Sequence, residues 1–479
     1  MALAVNSPND EISALRQQWM PLQALDGGTP AMRKATTALL PRWPGEESDA
    51  YNARVGVATL FPAWRRTVNV MSGKPFSQAL QLTEMDPRIE AWAQNVDLQG
   101  VSLHSFSAEM FREVVGYGLA GILVDSPKAS ASGRQTVAQA EAEGRRPYWV
   151  RVRHDQILGW KAALQGGAMR LTQLRLLECH EEDDGPYGVK VVPQVRVLVP
   201  GGWSIYRQAE SSSNAGKRGD WVLVESGTTS LSDIPFVPLY GVRKAFMVGE
   251  PPLLDLGYLN IKHWQSQSDQ DTILHVARVP ILAMYGVDAD TQLVVGASTA
   301  VRFTEPKTAA GLEFVEHTGA AINAGAESLK DLEQQMIQSG AELLVKQPGD
   351  RSATESANDA EANKSDLQRM AENFEDALDQ ALVFTAQFAG IDVARAGSVT
   401  LYSGYGEATL GDASATLVKD LMLAGVISRE TGIAELKRRG ELAQEVDPAV
   451  EAARIAEEGP LPGAMSDGGA DPNADPLAA

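Results

Sequence analysis

A chain of 479 residues is too long for one ordinary core and long enough for two or three. Its 44% apolar and 22% charged residues are the balance of a soluble folded protein, and no apolar run approaches the ~20 residues that span a bilayer. A net charge of -20 argues against tight static binding of nucleic acid, which draws most of its affinity from Lys and Arg neutralising phosphates; it mostly means solubility, and it leaves transient passage of DNA open, because a carboxylate-lined channel repels phosphates and prevents sticking.

The first ten residues are polar and lack both a basic and an apolar segment, which predicts a protein that stays in the cytoplasm where it is made. The single cysteine, Cys179, leaves no partner for an internal disulfide or a multi-cysteine zinc site. Pro21, Pro30, Pro41 and Pro44 break up residues 1–50, so an arm with one short helix over 12–20 is expected. From Tyr51 the pattern changes. Leu60, Phe61, Trp64, Val68 and Met71 recur at helical spacing until Gly73, Lys74 and Pro75 stop them. A second helix is predicted over 106–115 with Met110, Phe111, Val114 and Val115 buried, followed by a buried strand over 121–125.

Residues 126–146 are rich in Ser, Ala, Gln and Gly and read as a solvated loop. Alternating or β-branched runs over 148–152, 157–160, 171–177, 194–199 and 221–224 then predict an antiparallel sheet, with Pro235 and Pro238 breaking the pattern over 234–240. Helix is predicted from Pro252 to about Ala277, short β pieces between Val279 and His317, and helix again over 322–344. In that last helix Ile322, Ala326, Leu329, Leu332, Met336 and Ile337 form an apolar stripe, while Glu327, Lys330, Asp331 and Glu333 face elsewhere. The apolar surface of the whole 251–345 stretch, helices and β module together, is expected to need partners from other copies, so the protein is expected to form a large ring. Pro348 and Gly349 interrupt the pattern before a longer helix carrying Leu367, Met370, Phe374, Leu378, Leu382 and Phe388. A strand near Val399, helices over 414–424 and 428–439, and a disordered tail from Gly459 complete the chain.

Most chemical motifs fail on context. Gly116-Tyr-Gly-Leu-Ala-Gly121 matches G-x-G-x-x-G, but a dinucleotide site needs strand then helix, and here helix precedes strand. His180-Glu-Glu-Asp-Asp184 reads as a solvated hairpin turn, because adjacent acids point in different directions. Asp269 and Asp271 are separated by about 200° around a helix, so their carboxylates do not converge, even with His275 one turn on. The strings of P-loops, zincins and nucleophile elbows do not occur, and the six histidines are scattered singly.

Three distant stretches carry a family resemblance. They are Glu113-Val-Val-Gly-Tyr-Gly-Leu-Ala-Gly-Ile-Leu-Val-Asp125, Pro251-Pro-Leu-Leu-Asp-Leu-Gly-Tyr-Leu-Asn-Ile-Lys-His-Trp264, and Phe314-Val-Glu-His-Thr-Gly-Ala-Ala-Ile-Asn-Ala-Gly325 running on into the helix to Met336. Together they resemble the portal proteins of tailed bacteriophages, in particular a portal-like family long without assigned function, in which Arg146-Pro-Tyr-Trp-Val, Ile157-Leu-Gly-Trp160 and Val426-Ile-Ser-Arg-Glu430 have counterparts.

The resemblance implies an α+β portal fold: an N-terminal arm (1–50), an α/β wing (51–250), two stem helices (251–278 and 322–345) around a small β-containing clip (279–321), a tunnel loop (346–356), a long helix (357–389), a strand returning to the wing (390–410), a short helical crown (411–458) and a tail (459–479). It further implies a dodecameric ring at one capsid vertex, through which double-stranded DNA passes transiently during packaging and ejection. The major capsid protein, the terminase large subunit and then a head–tail adaptor protein are the implied partners, in the virion and, during assembly, the host cytoplasm. No catalytic residue, metal or cofactor is implied. Lys346, Gln347, Asp350 and Arg351 would face the channel, and Asp269, Asp271, Glu327, Lys330 and Asp331 would belong to the stem. Two other classes stay open on the residues alone: an acid-dependent hydrolase acting through Asp269, Asp271 or the His180 cluster, and a neck or minor capsid protein without a DNA channel.

Overall fold

The computed structural model describes residues 4–127, 145–209, 220–277, 281–285, 311–315, 319–342 and 364–404, together with the single positions Met422, Ile433, Val450 and Arg454. The chain forms two compact units, Met1–Tyr402 and Ser403–Ala479. The fold is α+β.

The N-terminal fifty residues are more helical than their prolines suggest. Asn9 accepts the Ile12 N–H through Oδ1 at 3.0 Å and starts α1 (Asp10–Asp26), which runs through Pro21. An interior proline costs about 3 kcal/mol; burial of Ile12, Leu15, Trp19, Leu22 and Leu25 offsets it. Helix α2 (Gly28–Ala35) follows, then α3 (Ser48–Val57) and α4 (Ala63–Gly73). The helical spacing read from Leu60 onward is split there: Leu60 sits before α4, while Trp64, Val68 and Met71 are buried on it.

Strand β1 (Gln81–Thr83) and α5 (Pro87–Trp92) lead to α6 (Leu103–Tyr117), capped by Ser102 and ended by Gly118 at φ 78°. Strand β2 (Leu119–Asp125) begins at once, so the glycine motif joins helix to strand as its sequence context requires. Two of its three glycines answer a steric demand. A Cβ on Gly118 would lie 2.2 Å from the Glu250 carbonyl carbon, and one on Gly121 would lie 2.1 Å from the Phe236 ring. β2 is the central strand of a three-stranded antiparallel sheet, between β3 (Tyr148–Val152) and a strand over Phe236–Tyr240. That third strand corrects the expectation of a break at residues 234–240. It lies at the sheet edge, where a proline's missing N–H can be tolerated, and Pro238 pairs in register with Gly121.

Between those edge strands the chain makes a five-stranded meander in sequence order: β4 (Ile157–Gln165), β5 (Ala168–Asp184), β6 (Gly188–Val199), β7 (Gly202–Gln208) and β8 (Trp221–Thr228). β7 lay outside the strands predicted from sequence. The sheet's base is buried at Leu174, Leu176, Val195 and Ile205, while the long β5–β6 hairpin projects with Tyr187 fully exposed. The strand over Phe236–Tyr240 is then β9, followed by the short pair β10 (Val242–Ala245) and β11 (Val248–Glu250).

Helix α7 (Leu254–Ala277), the antiparallel pair β12 (Ile281–Tyr285) and β13 (Gly311–Val315), helix α8 (Ala320–Ala341) and helix α9 (Asp366–Ala389) come next. Ser365 and Gln368 form a reciprocal capping box at the start of α9. α9 packs on β2 and β9, and its Thr385 Oγ1 accepts the Trp149 Nε1–H at 2.8 Å. Phe374 meets Phe111 edge-on at 5.2 Å, tying α9 to α6. Strand β14 (Ser398–Thr400) pairs with β1, and Glu375 and Asp379 of α9 accept the Leu401 and Val399 N–H groups at 2.6 and 2.8 Å. Of the crown helices expected at 414–424 and 428–439, only Met422 and Ile433 are described, both helical; the tail from Gly459 lies outside the described residues.

Candidate functional site: the α7–α8 helical pair

Helix α7 is the hub of the region. Its Asn260 accepts the Trp64 N–H at 3.0 Å and donates to the Phe61 carbonyl at 2.9 Å, so it supplies the N-terminal cap that α4's own sequence lacks. Trp264 is buried one turn further on. α8 crosses α7 closely: a Cβ on Gly325 would lie 2.0 Å from Gln270 Oε1, and Gln270 Nε2 donates to the Ile322 carbonyl at 2.9 Å. The same helix also packs on α4.

The apolar stripe of α8 is correct at its centre and wrong at its edges. Leu329, Leu332 and Met336 are buried, whereas Ala326 is exposed and Ile337 is 73% exposed. The buried part is covered by α7 and α4 of the same chain, so the centre of this stripe does not need other copies. Glu327, Lys330 and Asp331 all face solvent.

Asp269 and Asp271 face different neighbours. Asp269 Oδ1 accepts the Trp43 Nε1–H at 3.2 Å and lies 4.0 Å from Arg54 Nη1. Partial burial raises its carboxyl above the usual range, opposed by the Trp43 hydrogen bond and the Arg54 charge. Asp271 accepts from Gln267 at 2.9 Å. His275 is exposed.

Arg54, which sequence reasoning passed over, organises this corner. It donates from Nε and Nη2 to Glu46 at 2.8 Å each and to the Pro41 carbonyl at 2.9 Å, and it stacks 4.2 Å above the Trp43 ring. The arginine hydrogen bonds hold the Glu46 carboxyl below its usual range. The cage fastens residues 40–54 onto α7. Trp43, Glu46, Tyr51 and Arg54 lie within twelve positions of one another, which is the signal a sequence reading had to work with.

His263 lies at the junction of α7 and α8. It is 2% exposed, its Nε2 sits 3.5 Å from Glu333 Oε1 without hydrogen-bond alignment, and the Phe61 ring covers it at 5.3 Å. Burial holds its pKa below the usual histidine value against the pull of Glu333. His154 is likewise packed into the fold, stacked on Tyr117 at 3.7 Å with Nδ1 2.5 Å from Glu113.

Elsewhere, residues 180–184 form the end of β5 beside the turn at 185–187 and point into solvent on both faces. A cleft of about 420 Å³ opens beside Asp125, Tyr148, Arg196, Trp203 and Phe388. Its cation is committed to two carboxylates, Asp125 at 2.6 Å and Glu178 at 2.9 Å, and burial with the nearby acids pushes the Tyr148 hydroxyl up to about 12. Among the described residues no three His, Cys, Asp or Glu side chains gather as a metal site, and no helix is long and apolar enough to cross a membrane. Lys346, Gln347, Asp350 and Arg351 lie outside the described residues.

Residues 252–389, spanning α7, the β12–β13 pair, α8 and α9, match a family described as a domain of unknown function, DUF4055. No curated protein matches the chain. Solved structures similar to it include the virion of a native gene transfer agent particle, at 12% identity and a TM-score of 0.42, covering 85% of this chain and 98% of that one. Two others are the neck of the native particle computed with C12 symmetry (TM-score 0.40) and the neck of the empty particle computed with C6 symmetry (0.42), with the same identity and coverage.

Proposed function

We propose that this chain is a portal-type ring subunit of a tailed bacteriophage, a structural component of the capsid vertex through which genomic DNA is packaged and ejected. The observation that carries the reading is the order of elements after residue 251: a long helix, a two-stranded β unit, a second helix packed back along the first, and a further long helix. The resemblance stated above has that order at its centre. On this reading α7 and α8 are the stem and β12–β13 belongs to the clip, which docks the terminase large subunit and afterwards the head–tail adaptor. The wing meets the major capsid protein. Energy for DNA movement comes from the motor and not from this chain.

Glu327, Lys330 and Asp331 then present a polar, net acidic face along the stem, suited to DNA that slides without sticking. Lys346, Gln347, Asp350 and Arg351 are assigned to a loop that repeats around the axis, where the cations touch passing phosphates briefly. Electron microscopy of the purified full-length chain tests the reading. Rings with an axial hole support it; compact particles without a hole point to a neck or minor capsid protein instead. Deleting residues 347–351 is expected to leave ring assembly intact and to lower the amount of DNA retained per particle. Full-length genomes packaged at normal yield by that variant would remove the loop from the channel.

A further inference from the structure

Among the described residues the five-stranded meander ends on two unlike edges, β8 and the outer half of β4, that no further strand pairs. Among the described residues β8 pairs only with β7. Its Val222, Leu223 and Val224 are 44%, 54% and 51% exposed, so apolar side chains stand in solvent on both faces of an edge strand. Such an edge offers free N–H and C=O groups beside hydrophobic side chains, and soluble proteins ordinarily cover, shorten or charge it. At the opposite edge residues 4–9 cover only the start of β4, with the Asn9 N–H donating to the Leu158 carbonyl at 2.9 Å and Arg175 holding the Ala4, Val5 and Ser7 carbonyls. Beyond that point, among the described residues, 161–165 pair only with β5, and Leu164 is 71% exposed.

We propose that β8 of one copy pairs antiparallel with the outer half of β4, residues 161–165, of the next copy, so that the meanders of successive subunits join edge to edge. The occupant is a second copy of this chain because the two edges complement each other. A register that sets Val222 opposite Leu164 places Leu223 opposite Ala163 and Trp221 beside Gln165. It also brings Glu225, just past the bulge in β8, to the end of the ladder that carries Lys161. Apolar side chains meet apolar ones, and opposite charges meet at one end. Because β8 and β4 are different surfaces, the contact is head-to-tail, and repetition of a head-to-tail contact closes into a ring when the rotation per subunit allows. The inference rests on the ring reading above and names the contact that would build it.

Paired cysteines test it in the full-length chain. Cys179 is exposed and is the only cysteine, so Cys179→Ser gives a clean background. Leu223→Cys with Ala163→Cys, facing each other across neighbouring strands, lie within disulfide reach. Mild oxidation of the assembled protein is expected to give a reducible ladder of covalent multimers, while either single cysteine variant gives monomer. Rings of normal mass that yield only monomer on oxidation would overturn this contact and leave the ring reading standing. Protein of monomer mass before oxidation would overturn the ring reading itself. Covalent dimers from Leu223→Cys alone, with no larger species, would show that β8 pairs with β8 and not with β4. As a second arm, Leu223→Lys is expected to keep the wild-type circular dichroism while raising the assembly concentration at least about tenfold. Unchanged assembly by that variant also counts against the contact.

Discussion

The three-stranded sheet β3–β2–β9 and the five-stranded meander β4–β8 are neighbours in sequence and opposites in burial. Leu119, Ala120, Ile122, Leu123 and Val124 of β2 are at most 1% exposed, closed in by α6, α9 and the rings of Phe106, Phe111 and Trp149. In the meander Leu164, Val189, Val191, Leu223 and Val224 are all more than half exposed. One sheet is finished by its own chain. Among the described residues the other keeps a row of exposed apolar side chains on its outer strands and hairpin. Apolar burial is therefore concentrated in the first, and the proposed contact between subunits rests on the second.

Substitutions break that contrast in order of size. Gly118→Ala must fit a side chain at φ 78° against the Glu250 and Pro251 backbone, neither of which can yield; a loss of about 4 kcal/mol is expected, enough to leave little folded protein. Chemical denaturation giving a loss below about 1 kcal/mol would show that the helix-to-strand turn relaxes freely. Phe374→Ala removes the ring shared by α9, α6 and Phe76 and is expected to cost about 3 kcal/mol, seen as a lower urea midpoint with unchanged slope.

Arg54→Ala strands the Glu46 carboxylate and is expected to cost about 2 kcal/mol, less than a deep pair because the cage opens to solvent at Trp43. Its pH dependence has a definite sign. The folded pKa of Glu46 is depressed, so the pair's stabilisation is present above the ordinary value of 4.5 and fades as pH falls through the lower folded value. The melting-temperature gap between wild type and Glu46→Gln should accordingly be full at neutral pH and close on acidification; a gap independent of pH would mean that Glu46 acts by packing alone. Smallest of all, Val191→Thr in the β5–β6 hairpin is expected to stay within about 0.5 kcal/mol of wild type. A larger loss would place the hairpin inside the chain's own core.

Much of this was legible in sequence, for particular reasons. The stripes of α6 and α9, the buried run that became β2 and most of the meander follow from periodicities of 3.6 and 2 that one element carries alone. Prolines misled in both directions. Pro21 sits inside a helix whose burial outweighs its cost, and Pro238 sits on an edge strand that tolerates it. The stripe on α8 was drawn too wide because Ala326 and Ile337 are apolar yet solvent-facing, a distinction that only the crossing with α7 and α4 makes. The local part of the Arg54 cage lies within twelve positions, but its docking on α7 was out of reach, since the contacts to Ser268 and Asp269 join positions more than two hundred residues apart. Chemistry that depends on long-range closure leaves no period in the sequence.

The central proposal, that copies of this chain assemble into a closed ring, is tested most directly by the mass of the purified full-length protein in solution. Multi-angle light scattering is expected to give one large species of fixed mass, a whole-number multiple of the 51.3 kDa chain, that persists on dilution and across salt. A mass of 51.3 kDa at every concentration and ionic strength would contradict it.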